Sequence, residues 1–192
     1  MKRLLFVCIF TILCLAELPY AGAQRTAYGM PFVELCPGVT VCSLPSGAAS
    51  FSFGRYLSGS LWKTGVRAAD WNRKIAGGSD GDVFDRVSLT LHGEWLLRLF
   101  GTYGRTFSIY AGAGAFIGAH RFGVFRPVPA EYENPFPENE FIYGAEPSLE
   151  AEAFPFRRLA VVAAIRSPFT FAPSLEADSW RLAATLGLRL NL

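Results

Sequence analysis

Apolar and polar residues alternate strictly in the C-terminal part of the chain. The odd positions of 141–153 are almost all apolar, and the even positions include Glu146, Glu150 and Glu152. The alternation returns in 159–165 and again in 180–192. A period of two places apolar side chains on one face of a sheet and polar side chains on the other. The pattern therefore predicts three consecutive amphipathic strands.

Five more strands are predicted in the preceding sequence. They lie around 31–35, 48–57, 61–69, 86–98 and 107–118 and are separated by turn clusters rich in glycine, serine and aspartate. The clearest is 86–98, where Leu89 and Leu91 share one face and His92 and Glu94 the other. The total is about eight strands, the smallest number typical of outer-membrane barrels.

The predicted connections alternate between short and long. Those near 58–60, 100–104 and 155–158 are short, whereas those near 36–47, 74–83, 122–139 and 167–178 are longer. Short turns on one rim and longer loops on the other are typical of a membrane barrel with both termini in the periplasm. The sequence thus predicts an all-β fold, an up-and-down antiparallel β-barrel of the outer-membrane type.

A soluble, ligand-carrying barrel has the same alternation but points its apolar face inward. Three further features favour a membrane barrel: long strands, aromatic residues near strand ends, and few lysines. Lys63 and Lys74 are the only lysines after residue 23. In a membrane barrel the charged residues must share the lumen, where burial requires pairing. The predicted lumen charge network comprises Glu94, Glu146, Glu150, Glu152, Arg98, Arg158, Arg166, Arg181 and Arg189.

Residues 1–23 have the features of a signal peptide. Lys2-Arg3 precedes an apolar run, 4–15, and Ala21-Gly22-Ala23 is a cleavage signal. The apolar run is shorter than the ~20 residues of a transmembrane helix, and Ile12-Leu13 suits a lipoprotein signal at Cys14 poorly. We therefore expect one barrel domain, residues 24–192, in the outer membrane of a Gram-negative bacterium and in contact with its lipid.

Two cysteines remain after the signal peptide, Cys36 and Cys42, on either side of Pro37-Gly38. In an exported protein this spacing favours a disulfide that closes a small loop, with free thiols as the alternative. A zinc site would need more ligands than His92 and His120 could add. The formal net charge of +2 gives no electrostatic basis for nucleic-acid binding.

Three patterns raise the question of catalysis. Ser60 and Lys63 match S-x-x-K, but strand geometry sends them to opposite faces. The glycines of 112–118 fail the spacing of a nucleotide loop. His92 and His120 would allow an outer-membrane lipid-modifying enzyme if a serine and a carboxylate were adjacent. We predict no catalytic residue, cofactor, metal or small-molecule substrate. The acidic, proline-rich loop 122–139 is either an ordinary solvated loop or a docking surface.

Several segments resemble one family, the conjugal transfer protein TraO of conjugative transposons of the Bacteroides type. At the N-terminal end they are Ala23-Gln24-Arg25, Gly29-Met30 and Glu34-Leu35. Further along they are Phe141-Ile142-Tyr143-Gly144, Leu149-Glu150, Glu152, Arg158-Leu159-Ala160-Val161-Val162 and Leu186-Gly187-Leu188-Arg189. The resemblance covers the start of the barrel domain and roughly residues 85–192, while 36–82 fits it poorly.

The resemblance implies a non-enzymatic component of a conjugative DNA-transfer apparatus at the outer membrane. Its partners would be other proteins of that machinery, and no direct contact with nucleic acid is expected. Two other functions remain open on the sequence alone: an outer-membrane lipid-modifying enzyme and a small surface-binding barrel.

Overall fold

A computed structural model describes residues 28–41, 45–71, 73–74, 83–84, 86–102, 106–122, 139–156, 158–171 and 181–192. The predicted signal peptide, residues 1–23, lies outside this part of the chain. The described residues form eleven strands: β1 (Pro31–Val41), β2 (Pro45–Tyr56), β3 (Ser60–Asp70), β4 (Arg73–Lys74), β5 (Val83–Phe84), β6 (Arg86–Gly101), β7 (Phe107–Phe122), β8 (Asn139–Ala153), β9 (Leu159–Arg166), β10 (Phe169–Phe171) and β11 (Leu182–Asn191).

The long strands close into one antiparallel barrel. Their order is β1, β2, β3, β6, β7, β8, then β9 with β10, and finally β11, which pairs with β1 again. Strands β9 and β10 both pair with β8 and act as one strand interrupted at Ser167-Pro168. The short hairpin of β4 and β5 lies in the connection after β3. The predicted eight-stranded up-and-down barrel is confirmed.

The apolar side chains point outward, away from the lumen. Leu89, Leu91, Leu186 and Leu188 are each more than half exposed, whereas Glu94 is buried inside. A barrel whose exposed leucines alternate with buried charges would be unfavourable in water, but its surface suits the hydrocarbon interior of a membrane. The soluble-carrier alternative is therefore wrong, and the barrel belongs in an outer membrane. The described residues contain no helix that is long and apolar enough to cross a membrane.

We expect the protein to be recovered with outer membranes and to change gel mobility on boiling. A closed barrel satisfies its backbone hydrogen bonds internally, which makes the folded form resistant to detergent. Fractionation of the producing cells and electrophoresis before and after boiling would test this. Recovery in the periplasm without detergent, together with an unchanged mobility, would contradict the membrane location.

Close contact between β6 and β7 requires residues without a side chain. A Cβ at Gly112 would lie 2.0 Å from the carbonyl oxygen of Trp95, and one at Gly118 would lie 2.1 Å from that of Leu89. Both glycines thus allow the sharp strand coiling that a narrow barrel needs.

The predicted disulfide between Cys36 and Cys42 lies partly outside the described residues, because Cys42 is not among them. Cys36 is a free, fully buried thiol in the middle of β1, which continues to Val41. Pro37 belongs to the predicted connection 36–47, but in the structure it lies in β1.

The two rims of the barrel differ in their connections. One rim has only 57–59, 102–106 and 154–158, and the other has 42–44, 71–85, 123–138 and 172–181. The first rim is periplasmic and the second faces outward, as short turns and longer loops indicate. The first outer connection is three residues long rather than the predicted 36–47, because β1 and β2 both extend further than expected.

Candidate functional site

The lumen holds a dense group of charged side chains, which we call the lumen charge cluster. Within the described part of the barrel each of its members is at most 6% exposed. They come from β1, β3, β6, β8, β9 and β11, because the inward positions of these strands meet at similar depths. The cluster consists of five carboxylates, Glu34, Glu94, Glu146, Glu150 and Glu152, and four cations, Lys63, Arg67, Arg166 and Arg189.

Arg189 contacts three of the carboxylates. Its Nη2 lies 2.5 Å from Glu150 Oε1, and its Nη1 lies 2.5 Å from Glu152 Oε2. Its Nε donates to Glu34 Oε2 at 2.9 Å. The guanidinium also stacks 4.2 Å from the ring centroid of Phe32. A planar group with five donors can satisfy several carboxylates at once, so Arg189 joins β1, β8 and β11 across the lumen.

Lys63 lies beside Arg189 and shares two of its partners. Its Nζ is 3.1 Å from Glu34 Oε1, is hydrogen-bonded to Glu150, and lies 3.8 Å from Glu94 Oε2. The ammonium thus donates hydrogen bonds to Glu34 and Glu150, whereas its contact with Glu94 is an ion pair that is too long for a hydrogen bond. Lys63 thereby links the contacts of Arg189 to those of Glu94.

Arg67 and Arg166 form the outer part of the cluster. Arg67 binds Glu146 with both terminal nitrogens, at 2.6 and 2.8 Å, and reaches Glu94 Oε1 at 3.2 Å. Arg166 Nε donates to the same Glu94 oxygen at 2.8 Å, and its Nη1 donates to Thr185 Oγ1 at 3.0 Å. Charge-assisted and bidentate bonds of this kind are the strong ones.

On the periplasmic side of the lumen charge cluster, a layer of apolar side chains closes the lumen. The layer contains aromatic and aliphatic side chains from several strands: Phe32, Tyr56, Leu61, Leu96, Tyr110, Phe154, Ala160 and Val162. Tyr56 and Tyr110 connect it to the charges, because their hydroxyls both donate to Glu152. The apolar layer and the lumen charge cluster together fill the periplasmic half of the barrel.

The outer half of the lumen contains a small cavity lined by Arg67, Trp71, His120 and Arg181, among others. Its volume is about 20 Å³, which is enough for roughly one water molecule. Arg181 lies here, with its guanidinium 5.8 Å from the Trp71 ring and its Nη1 3.3 Å from Thr170 Oγ1. This side chain is therefore buried as predicted, but at the outer end and apart from the lumen charge cluster.

Two predicted members of the charge network lie at the periplasmic rim. Arg158 is exposed in the connection before β9. Arg98 is half-buried where β6 has a bulge, since the register with β7 shifts between Arg98 and Phe100. Arg158 follows a turn, and Arg98 lies two residues beyond Leu96 of the apolar layer. The structure therefore places neither of them in the lumen charge cluster.

Sequence analysis missed Glu34, Lys63 and Arg67. A signal was available, because Lys63 and Arg67 alternate with the apolar residues Trp62, Val66 and Ala68 in the predicted strand 61–69. In the structure Lys63 stands directly opposite Glu94 in the β3–β6 register. Glu34 gives a weaker signal, because the predicted strand 31–35 is too short to show which of its faces points inward.

His92 does have a serine and a carboxylate nearby, but their geometry is unsuited to nucleophilic catalysis. Ser52 Oγ is 3.1 Å and Glu94 Oε1 is 3.9 Å from the same ring nitrogen, Nε2. A catalytic acid would instead orient the other nitrogen, and His92 Nδ1 has no hydrogen-bond partner among the described residues. All three groups are enclosed in the lumen, away from lipid. The described residues also contain no group of ligands that could hold a metal ion.

Comparison with known proteins supports the fold. No protein-family model and no curated protein matches the chain. Among solved structures, the outer membrane protein OprG of Pseudomonas aeruginosa matches with a TM-score of 0.61 at 11% identity, over 88% of this chain and 99% of OprG.

Two further outer-membrane barrels match as whole chains. The attachment invasion locus protein Ail of Yersinia pestis, in complex with the heparin analogue sucrose octasulfate, gives a TM-score of 0.51 at 11% identity, over 86% of this chain and 100% of Ail. The N-terminal barrel domain of P. aeruginosa OprF gives 0.50 at 13% identity, over 85% of this chain and 99% of that domain. At such identities the likeness shows the fold alone, a barrel of the outer-membrane type.

Proposed function

We propose that this barrel is a non-enzymatic component of a conjugative DNA-transfer apparatus, in which it has a structural or assembly role at the outer membrane. The observation that supports a structural role is that side chains fill the lumen. The lumen charge cluster and the apolar layer occupy its cross-section, and the cavity beyond them has room only for water. An eight-stranded barrel filled by side chains is too narrow for DNA, so its contribution must come from its surfaces.

Support for the conjugative role comes from the resemblance to the TraO family. Four of the residues that carry it, Glu34, Glu150, Glu152 and Arg189, meet in the lumen charge cluster. Two more, Ala160 and Val162, belong to the apolar layer. Part of the resemblance therefore falls on the interior of the barrel, which favours a shared architecture. The proposed partners are other proteins of the transfer machinery.

We expect that deletion of the gene in a donor strain lowers the mating frequency towards that of a donor without the transfer element. A barrel needed for assembly cannot be bypassed by raising the level of the other components. Mating frequency would be measured in the deleted strain, in the same strain complemented with the wild-type gene, and for an unrelated plasmid that uses its own apparatus. A normal frequency after deletion would remove the transfer hypothesis.

A surface-binding barrel is the second candidate. The outer rim carries the longer connections, three of which span ten or more residues, and loops on a rigid barrel are where binding residues concentrate. The similar structure of Ail contains a bound heparin analogue. Under this alternative, shortening of 123–138 would abolish binding to host or matrix surfaces and leave mating unchanged. Under the conjugative proposal, binding to such surfaces would be absent from the start.

A further inference from the structure

The two rims of this barrel carry opposite charge. The connections of the periplasmic rim contain Arg105, Arg157 and Arg158 and no aspartate or glutamate. Those of the outer rim contain eight acidic residues, Asp80, Asp82, Asp85, Glu131, Glu133, Glu138, Glu176 and Asp178, against Arg73, Lys74, Arg126 and Arg181. The total charge of the chain is nearly balanced, so this difference appears only when the sequence is placed on the barrel.

Two arginines of the periplasmic rim are exposed in the structure, Arg55 near the end of β2 and Arg158 before β9. The backbone between them is continuous. Asn191 N donates to the Arg158 carbonyl at 2.7 Å, Leu192 N donates to the Pro31 carbonyl at 3.0 Å, and Pro31 pairs with Arg55. Three strand spacings separate the two arginines, roughly 14 Å along the rim. They therefore belong to one positively charged arc, which we call the arginine rim.

Aromatic side chains place the arginine rim at the depth of lipid headgroups. Arg55 pairs across the sheet with Trp62, whose ring lies 5.6 Å from that of Phe53 on the outer wall. Phe156, two residues before Arg158, is exposed. Aromatic girdles mark the membrane interface, and arginine near such a girdle extends its charged end to the phosphate level.

The two glutamates near these strand ends, Glu34 and Glu152, do not neutralise the arginine rim. Glu34 and Glu152 are enclosed in the lumen, where they bind Arg189. Arg55, in contrast, shares the outward face of β2 with Phe53. An anion that pairs with Arg55 must therefore lie on the lipid side of the barrel wall.

We propose that the arginine rim binds the phosphate groups of anionic phospholipids in the periplasmic leaflet, with Arg55 and Arg158 as ligands. Guanidinium groups suit phosphate because they donate two parallel hydrogen bonds. Lipid is favoured over an acidic protein because Arg55 projects from the lipid-facing wall beside Trp62, rather than from the end of the barrel. The bound lipids would hold the barrel in a fixed orientation and depth.

Native mass spectrometry of the full folded chain, titrated with phosphatidylglycerol or phosphatidylcholine, tests this proposal. The wild type should prefer phosphatidylglycerol, and the variant Arg55→Gln/Arg158→Gln should lose about fivefold in that preference for each arginine removed. The control Arg121→Gln/Arg126→Gln removes the same charge from the outer side and should leave the preference unchanged. Arg55→Lys/Arg158→Lys should restore most of it. The boiling-dependent gel shift verifies that each variant is folded.

An unchanged preference in the folded Arg55→Gln/Arg158→Gln variant would overturn the proposal, as would an equal loss in the outer-side control. A third result would also overturn it. If the arginines were needed to retain an acidic periplasmic protein while the lipid preference stayed the same, the arginine rim would be a protein-docking surface.

Discussion

Replacement of Arg189 by leucine is expected to destabilise the folded barrel by about 3–5 kcal/mol, the usual effect of removing one partner from a buried ion pair. Arg189 is fully buried and contacts Glu34, Glu150 and Glu152. Without the guanidinium these carboxylates would stay enclosed with too little positive charge. Urea-induced unfolding in detergent micelles or vesicles, followed by tryptophan fluorescence and by the gel shift, would measure the loss.

In uncharged detergent micelles, which offer no anionic phospholipid, Arg158→Leu is the matched control. Arg158 is exposed, and surface substitutions usually change stability by no more than about 0.5 kcal/mol. A double-mutant cycle with Glu150→Leu adds a second check. Since Arg189 Nη2 lies 2.5 Å from Glu150 Oε1, the two effects should be non-additive by about 0.5–3 kcal/mol. Equal losses for Arg189→Leu and Arg158→Leu would show that the lumen charge cluster does not hold the barrel together.

The sequence was sufficient to predict the barrel wherever alternation was uninterrupted. In β6 and β11 every second residue is apolar, and the outward side chains of both strands include the predicted leucines, such as Leu89 and Leu188. Period-two alternation carries this information because a strand has only two faces. Strand length, the placement of aromatic residues and the connection lengths then indicated that the apolar face points outward, towards lipid.

The prediction failed where a local turn signal competed with sheet pairing. Pro37-Gly38 looks like a turn, yet β1 continues through it and pairs with β2 along its whole length. On the other side the pairing with β11 is interrupted between Leu35 and Gly38, at the position where Pro37 has no N–H to donate. A proline in a barrel strand thus removes one hydrogen bond and leaves the remaining pairs intact.

The partners within the lumen charge cluster could not be predicted from alternation. The alternation shows which side chains point into the lumen. The contact between Arg189 and Glu150 also depends on strand register, since β9 separates β8 from β11 in the sheet. Register depends in turn on bulges and turn lengths that alternation does not reveal.

Replacement of Leu91 by arginine is expected to destabilise the membrane-inserted barrel by about 2–4 kcal/mol, the cost of an arginine on the lipid face at mid-membrane. Leu91 is 57% exposed on the outer wall and pairs with Val66 in the middle of β3. The measurement is reversible unfolding from lipid vesicles in denaturant. In a soluble barrel the same change would add a charge to a water-facing position and cost little.

Leu97→Arg is the internal control for depth. Leu97 lies on the same strand and is also 57% exposed, but it pairs with Ser60 at the periplasmic end of β3. Near the interface an arginine on the lipid face costs only about 0–1 kcal/mol, because its guanidinium reaches the headgroups. The difference in the free energy of unfolding between the two variants therefore shows whether lipid surrounds the barrel. Two equally small losses would mean that water, and not lipid, surrounds β6.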